Sequence, residues 1–490
     1  MTSPSTQPAA SAPVPANLAT TVSEIDFSCR LPLLVLFISA AKWLVIGWVF
    51  ELIASIKFHS PAFLADYSWL TYGRVHAAFA NSLTYGFCIQ AGLGVVLWLL
   101  AQLGSTKLAQ RWLVTVGAIL WNLGVTVGVI GILIGDSTGF VDLEMPGYSA
   151  VLVFIGYLLI ALWGVVTFHQ RRRRRLCAAH WFLFTALFWF PWIYSSANLL
   201  LLVFPVRGVA QAVVAWWFSD NLLVVWLALV GLGALFYFIP KLTGRELHSH
   251  YLALFAYWML ILFAGWGGIP NSAPLPAWMP ALSTIGTVLF LLGVVAVALN
   301  LCETTGCSLS VARGNTFLPF FISGLLAFAL AGFLRAGLAL FDVNQSLHFT
   351  WFGPALKELN LYGFFAMAMF GAIYFIMPRL LGVALPWPKL VRAHFWLSAA
   401  GVVLLVLPLL LSGFVEELKL ENTNQPFLAV MRSTLPFLRV STMGDLLLLI
   451  GHVLFLANMT GLVVGFYRAR AQATYVDLTA DLFKTAGARS

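Results

Sequence analysis

The chain has 490 residues, of which 61% are hydrophobic and only 9% charged. A soluble globular protein of this length needs far more polar surface, so the composition excludes that class and indicates an integral membrane protein. The net charge of +9 would suit nucleic acid in a soluble chain. In a membrane chain it reflects loop basicity, and no nucleic-acid partner is expected.

Residues 1–28 are rich in Ser, Ala, Pro and Thr and lack the regions of a cleaved signal, so a disordered cytoplasmic tail is expected. Apolar runs of the roughly 20 residues needed for a crossing follow. Twelve are found, near 31–56, 78–103, 112–135, 147–169, 180–204, 210–239, 249–269, 278–301, 316–341, 356–378, 393–415 and 443–467. The expected fold is an all-α membrane protein with a twelve-helix membrane domain over 29–470 and a cytoplasmic C-terminal tail over 471–490. Forty Phe and nineteen Trp supply a lipid-facing surface and interfacial belts. With the N-terminus inside, eighteen Lys and Arg fall on inner loops and tails and seven on outer loops; Lys42 and Arg335 lie within spans, completing the 27. That bias places both termini in the cytoplasm. The run Arg171–Arg175 reads as a topology anchor on an inner loop. Cys29, Cys88, Cys177, Cys302 and Cys307 form no CxxCH or CxxC motif, so covalent haem and structural zinc are not expected; Cys302 and Cys307 are close enough in sequence to pair, but read as an incidental loop couple.

Six stretches stand out in order: "YGRVHAAFAN" from Tyr72, "DLEMP" from Asp142, "HWFLF" from His180, "WWFSDNLLVVWLALVGLGALFYFIPK" from Trp216, "AGWGGIPNSAPLPAW" from Ala264 and "VNQSLHFTWFG" from Val343. Each is weak alone. Together, with the helix count and the segment "PALKELNLYGFFAMAMF" from Pro354, they resemble subunit I of the haem–copper oxidases, specifically the cbb3-type cytochrome c oxidase, over most of the chain from about residue 30.

The resemblance implies a haem–copper oxidase subunit I-like bundle in a bacterial cytoplasmic membrane, b-type haems, copper, and histidine ligands for both metals. In this sequence the implied low-spin haem ligand of the second helix is Phe79, and the paired haem ligands of the tenth are Leu356 and Glu358. The first implied copper ligand is Asp220. The adjacent pair after the seventh helix is Pro270 and Asn271, or Gly268 and Ile269 on the other anchor, and the redox tyrosine becomes Ala264. A membrane glutamate becomes Leu334. No haem, copper or other cofactor is therefore expected, and no catalytic, cofactor-binding or metal residue is assigned. His76 lies one turn before Phe79, which is about 4.5 Å along a helix and too far for unchanged haem placement. His180 and His394 read as interfacial residues at helix starts, and His452 as the one histidine deep in a span.

Phe79, Phe364 and Phe375 are candidates to fill the space of the haems. Charges inside spans are costly and normally face the interior with a partner. Lys42, Asp220, Arg335, Glu358 and Asp445 are therefore expected to form a buried polar clasp, with Asp220 and Glu358 neutralised by a cation such as Arg335 or by protonation. The function this supports is a catalytically silent paralogue of subunit I, a structural, assembly or regulatory partner of other respiratory-complex subunits in the lipid bilayer. An active terminal oxidase that translocates protons, and an ion or small-solute transporter using the intramembrane charges, are the alternatives.

Overall fold

Long uninterrupted apolar runs with prolines at their ends fold here as long helices, because in lipid each backbone N–H and C=O must be satisfied within its own segment. The structure, a computed structural model, describes residues 16–307, 314–422 and 424–487. The membrane helices are α1 (Ala16–His59), α2 (Tyr72–Gly104), α3 (Arg111–Ile134), α4 (Gly147–His169), α5 (Ala178–Val203), α6 (Val209–Thr243), α7 (His250–Trp266), α8 (Trp278–Thr305), α9 (Leu318–Leu338), α10 (Phe352–Leu381), α11 (Pro388–Leu420) and α12 (Phe427–Gly487). Among the described residues, eleven helices are long and apolar enough to cross a membrane; α7 is apolar but shorter. The seventh run was expected to reach residue 269. It stops at Trp266 because Gly267, Gly268 and Pro270 turn the chain out of helix.

Three helices form the centre. In α2, α6 and α10 the apolar windows are 89%, 89% and 83% buried, against 39–56% in the other long helices. The same three each contain a stretch of widened π-helical turns, at Ser82–Ile89, Asn221–Trp226 and Leu359–Ala366. Such turns concentrate at functional positions, and here two of them begin directly after Asp220 and Glu358. The peripheral helices expose Leu, Ile, Val, Phe and Trp on their outer sides, as a lipid-facing surface requires.

Two expectations about the ends and one about the cysteines change. Residues 16–28, expected as part of a tail, are the first turns of α1; residues 1–15 lie outside the described residues. The segment is tied down by Asp26, whose Oδ1 accepts hydrogen bonds from Trp98 Nε1 at 2.9 Å and Gln102 Nε2 at 2.7 Å. Polar composition alone does not reveal that anchor. At the other end α12 continues as helix to Gly487, through most of the expected C-terminal tail. Cys302 and Cys307, expected to stay unpaired, are joined in a disulfide where the chain reverses after α8, with Cα atoms 4.6 Å apart.

Candidate functional site

Asp220 ends the regular part of α6, and Arg335 lies near the end of α9. Arg335 Nη2 donates to Asp220 Oδ1 at 2.6 Å, with side-chain exposures of 20% and 7%. The pair is roofed by the loop after α7. A Cβ on Gly267 would sit 2.6 Å from Arg335 Nη2 and 2.7 Å from Asp220 Oδ2, and one on Gly268 would sit 2.5 Å from Asp220 Cβ. Gly268 also has φ of +93°, which L side chains rarely adopt. Gly268→Ala should therefore lower stability by about 2–4 kcal/mol, read as a drop in the thermal midpoint in detergent. An unchanged midpoint would mean that the loop does not depend on this close seating. Beyond the glycines, the Asn271 amide N–H donates to Asn344 Oδ1 at 3.2 Å and its side chain donates to the Ala339 carbonyl at 3.0 Å.

Next to the pair lies a cavity of about 340 Å³. Its walls are chiefly apolar, including Trp216, Phe290, Phe328 and Leu356; Asp220, Arg335, His348, Lys357 and Asn360 give it a polar edge. An apolar chamber with a few convergent polar groups is the usual form of a small-molecule site.

Lys357 crosses to a second buried acid. Its Nζ donates to Asp142 Oδ1 at 2.7 Å, Ser219 Oγ donates to Asp142 Oδ2 at 2.5 Å, and the Tyr85 hydroxyl donates to the Asp142 carbonyl at 2.6 Å. Asp142 takes a left-handed φ of 61°, a conformation Asp tolerates better than most residues. Asn81 Nδ2 donates to Glu144 Oε2 at 2.8 Å. Burial first, and then the like charge of Asp142, raise the Glu144 pKa from its ordinary value of 4.5, while Lys357 and Asn81 pull it back. The folded state thus holds this proton more tightly than the unfolded chain does. The contribution to stability is complete below 4.5 and is lost as pH rises through the raised folded value. Glu144→Gln should flatten that decline in a series of thermal melts from about pH 4 to about pH 8.

The other residues of the expected clasp lie apart from Arg335. Glu358 has a buried Oε2 with no hydrogen-bond partner among the described residues. Asp445 is fully buried beside Ser55, with no ion pair to a cation among the described residues. Lys42 is exposed on α1, its ammonium 5.4 Å from the Trp43 ring. His76 stacks on Tyr72 at 5.3 Å, and its Nδ1 lies 3.6 Å from Glu51 Oε2. The sequence reading missed Lys357, Glu51 and Asp142 as parts of this cluster. "DLEMP" and "PALKELNL" were both singled out, but nothing in either indicates that a loop acid and a helix-end lysine meet.

The implied haem and copper positions can be tested against these contacts. Phe79 is buried and meets Trp48 edge-on at 5.2 Å; Trp48 also packs against Tyr362 at 5.0 Å and His452 at 4.8 Å. Phe364 fills against Phe328 at 4.8 Å and Phe375 against Phe238 at 5.3 Å. Leu356 lines the cavity, Asp220 is held by Arg335, and Asn271 is held by Asn344 and Ala339. These side chains do not fit iron or copper ligation at those positions. Among the described residues, no group of three or more His, Cys, Asp or Glu is arranged to hold a metal.

Two histidines depart from expectation. His180 caps its own helix, its Nδ1 accepting from the Cys177 amide at 3.2 Å. His394 is fully buried rather than interfacial, since α11 begins at Pro388 and carries it inward against Tyr374 and Phe370.

The family model described as Cytochrome C and Quinol oxidase polypeptide I matches residues 32–447. The cbb3-type cytochrome c oxidase subunit CcoN1 of Stutzerimonas stutzeri is 22% identical over 442 residues, covering 88% of this chain and 93% of that one. Cytochrome c oxidase subunit 1 of Rhodobacter capsulatus is 23% identical over 445 residues, covering 86% and 83%. A solved structure of a heme-copper terminal oxidase dimer superposes with a TM-score of 0.74 at 15% identity, covering 89% of this chain and 84% of that chain. These matches correct the expectation of a chain without cofactors, because they are to haem–copper oxidase subunit I, a family that binds haem and copper.

Proposed function

We propose a function from one premise: the chain belongs to the cytochrome c and quinol oxidase polypeptide I family, and is a multi-pass bacterial membrane protein. On that premise it is a partner subunit of a respiratory membrane complex with a structural, assembly or regulatory role, and it does not itself reduce oxygen. The observation that carries this reading is the Arg335–Asp220 ion pair, seated against Gly267 and Gly268 where the family's copper ligands are implied. An oxygen of that carboxylate held by a guanidinium at 2.6 Å makes the pair a structural clasp. The proposed topology has twelve crossings, with α7 as a short one, and both termini in the cytoplasm, from the loop charge bias.

The test is purification from native membranes. Respiratory-complex subunits, including a histidine-bearing subunit I, should come with the chain. The chain purified alone should consume oxygen only at background rate with an artificial reductant. Oxygen consumption at an oxidase rate by the chain alone would overturn the reading. Reporter fusions should place Arg171–Arg175 on the cytoplasmic side, and a periplasmic result would overturn the topology.

A second reading, passage of protons or cations through the interior, is favoured by a surplus of acids. Glu51, Asp142, Glu144, Glu358 and Asp445 interact across one region in which Lys357 and His76 are their basic partners among the described residues. Proteoliposomes should then show cation flux that Glu358→Gln abolishes.

A further inference from the structure

Away from the site described above, α10, α11 and α12 meet along a fully buried seam that holds two histidines. His394 on α11 and His452 on α12 have no exposed surface, and their ring centres are 6.2 Å apart with planes at 78°. His394 Nδ1 lies 3.1 Å from the Tyr374 hydroxyl, and His452 Nδ1 lies 3.3 Å from the Tyr362 hydroxyl. Tyr362 in turn donates to Ser398 Oγ at 3.4 Å. Each ring thus has one nitrogen engaged by a tyrosine. The other nitrogen, Nε2, is in both cases buried with no hydrogen-bond partner among the described residues. A buried polar atom without a partner is costly, and here the cost falls on two neighbouring rings.

We propose that His394 and His452 form a two-coordinate site for Cu(I), bound between the two Nε2 atoms. The spacing suits it. Imidazole nitrogens bind a first-row ion at about 2.0 Å, so two rings sharing one ion in a line have centres about 6 Å apart. The remaining nitrogens suit it too, since a ligating histidine is normally fixed by a hydrogen bond at its other ring nitrogen, and Tyr374 and Tyr362 stand in that position.

The donor set selects the ion. Zinc in a structural site takes four ligands, calcium and magnesium take oxygens, and Cu(II) prefers a tetragonal set. Two neutral nitrogens satisfy only a monovalent d10 ion, which accepts linear coordination and brings a single charge into an apolar seam. Haem iron can also take two histidines. The walls leave no slot for its macrocycle: Phe370 stands 4.6 Å from His394 and 5.9 Å from His452, and Phe455 stacks on His394 at 5.2 Å. The site is separate from Asp220 and Asn271, and it does not depend on whether the chain reduces oxygen.

The test titrates the purified full-length chain in detergent with Cu(I), under anaerobic conditions, against a chromophoric Cu(I) chelator. One equivalent should be withdrawn per chain, and X-ray absorption should find two nitrogen neighbours at about 2.0 Å. His394→Gln and His452→Gln should each abolish the uptake, Tyr374→Phe should weaken it about tenfold, and His248→Gln, on an exposed loop, should leave it unchanged. Absence of uptake by the folded parent, or uptake that survives both histidine changes, overturns the proposal. If the glutamine variants do not fold, the absorption spectrum of the parent decides: a two-nitrogen shell supports the site and a sulfur or oxygen shell overturns it.

Discussion

Arg335→Ala is expected to destabilise the protein by about 3–5 kcal/mol, because it leaves the Asp220 carboxylate buried without its counter-charge. Asp220 is 7% exposed, with Gly268 seated against its side chain. The pair itself contributes far less than its removal costs, because desolvating two charges offsets most of their attraction. Arg335→Met combined with Asp220→Leu should therefore recover most of the loss. Glu358→Gln should be tolerated, as Glu358 makes no ion pair among the described residues and the amide keeps its shape. Thermal unfolding of the four proteins in one detergent checks this. Equal stability of Arg335→Ala and the parent would refute the clasp.

Trp48→Ala is expected to cost a comparable about 3–5 kcal/mol, for a different reason. The indole is fully buried and is the shared neighbour of Phe79, Tyr362 and His452, so its loss opens a void that three rings from three other helices border. Phe79→Ala should also be costly. The double change should cost less than the two together, because both remove the same edge-on contact. A penalty below about 1 kcal/mol for Trp48→Ala would mean that the neighbours collapse into the space, and that this aromatic packing does not hold α1, α2, α10 and α12 together.

Much of the bundle was legible because membrane helices declare themselves locally. A run such as 210–239 must satisfy its own backbone in lipid, so hydropathy and length nearly fix its state. The six ordered motifs then carried the architecture. The seventh run was overextended because its apolar residues continue to Ile269, whereas Gly267, Gly268 and Pro270 end the helix. Side-chain meetings were harder to see. General cost of buried charge was reason to consider Asp220 with Arg335, but only the structure gives a contact 115 positions apart in the chain. Lys357 and Asp142 are 215 positions apart, and each looks in isolation like an ordinary solvated residue near a helix end. His394 was misread because distance from a helix start does not say how that helix is sunk into its neighbours. The absence of a cofactor was inferred from substituted positions, which test only donors at those positions and not donors elsewhere.

The widened turns in α2, α6 and α10 set a rule about length. Each wide turn carries surplus backbone, and everything beyond it is rotated accordingly. A deletion within Ser82–Ile89 closes the wide turn to an ordinary one and uses up that surplus, so the residues beyond keep their faces. A deletion in the regular turns has no surplus to use. Within 90–97 it would turn the rest of α2 by about 100° and draw it back by about 1.5 Å, and Trp98 would leave Asp26. The wide turns of α6 and α10 are tied to each other, since Asn360 donates to the Leu223 carbonyl at 2.6 Å. Single-residue deletions in the regular turns of α2 should accordingly be worse tolerated than one within Ser82–Ile89.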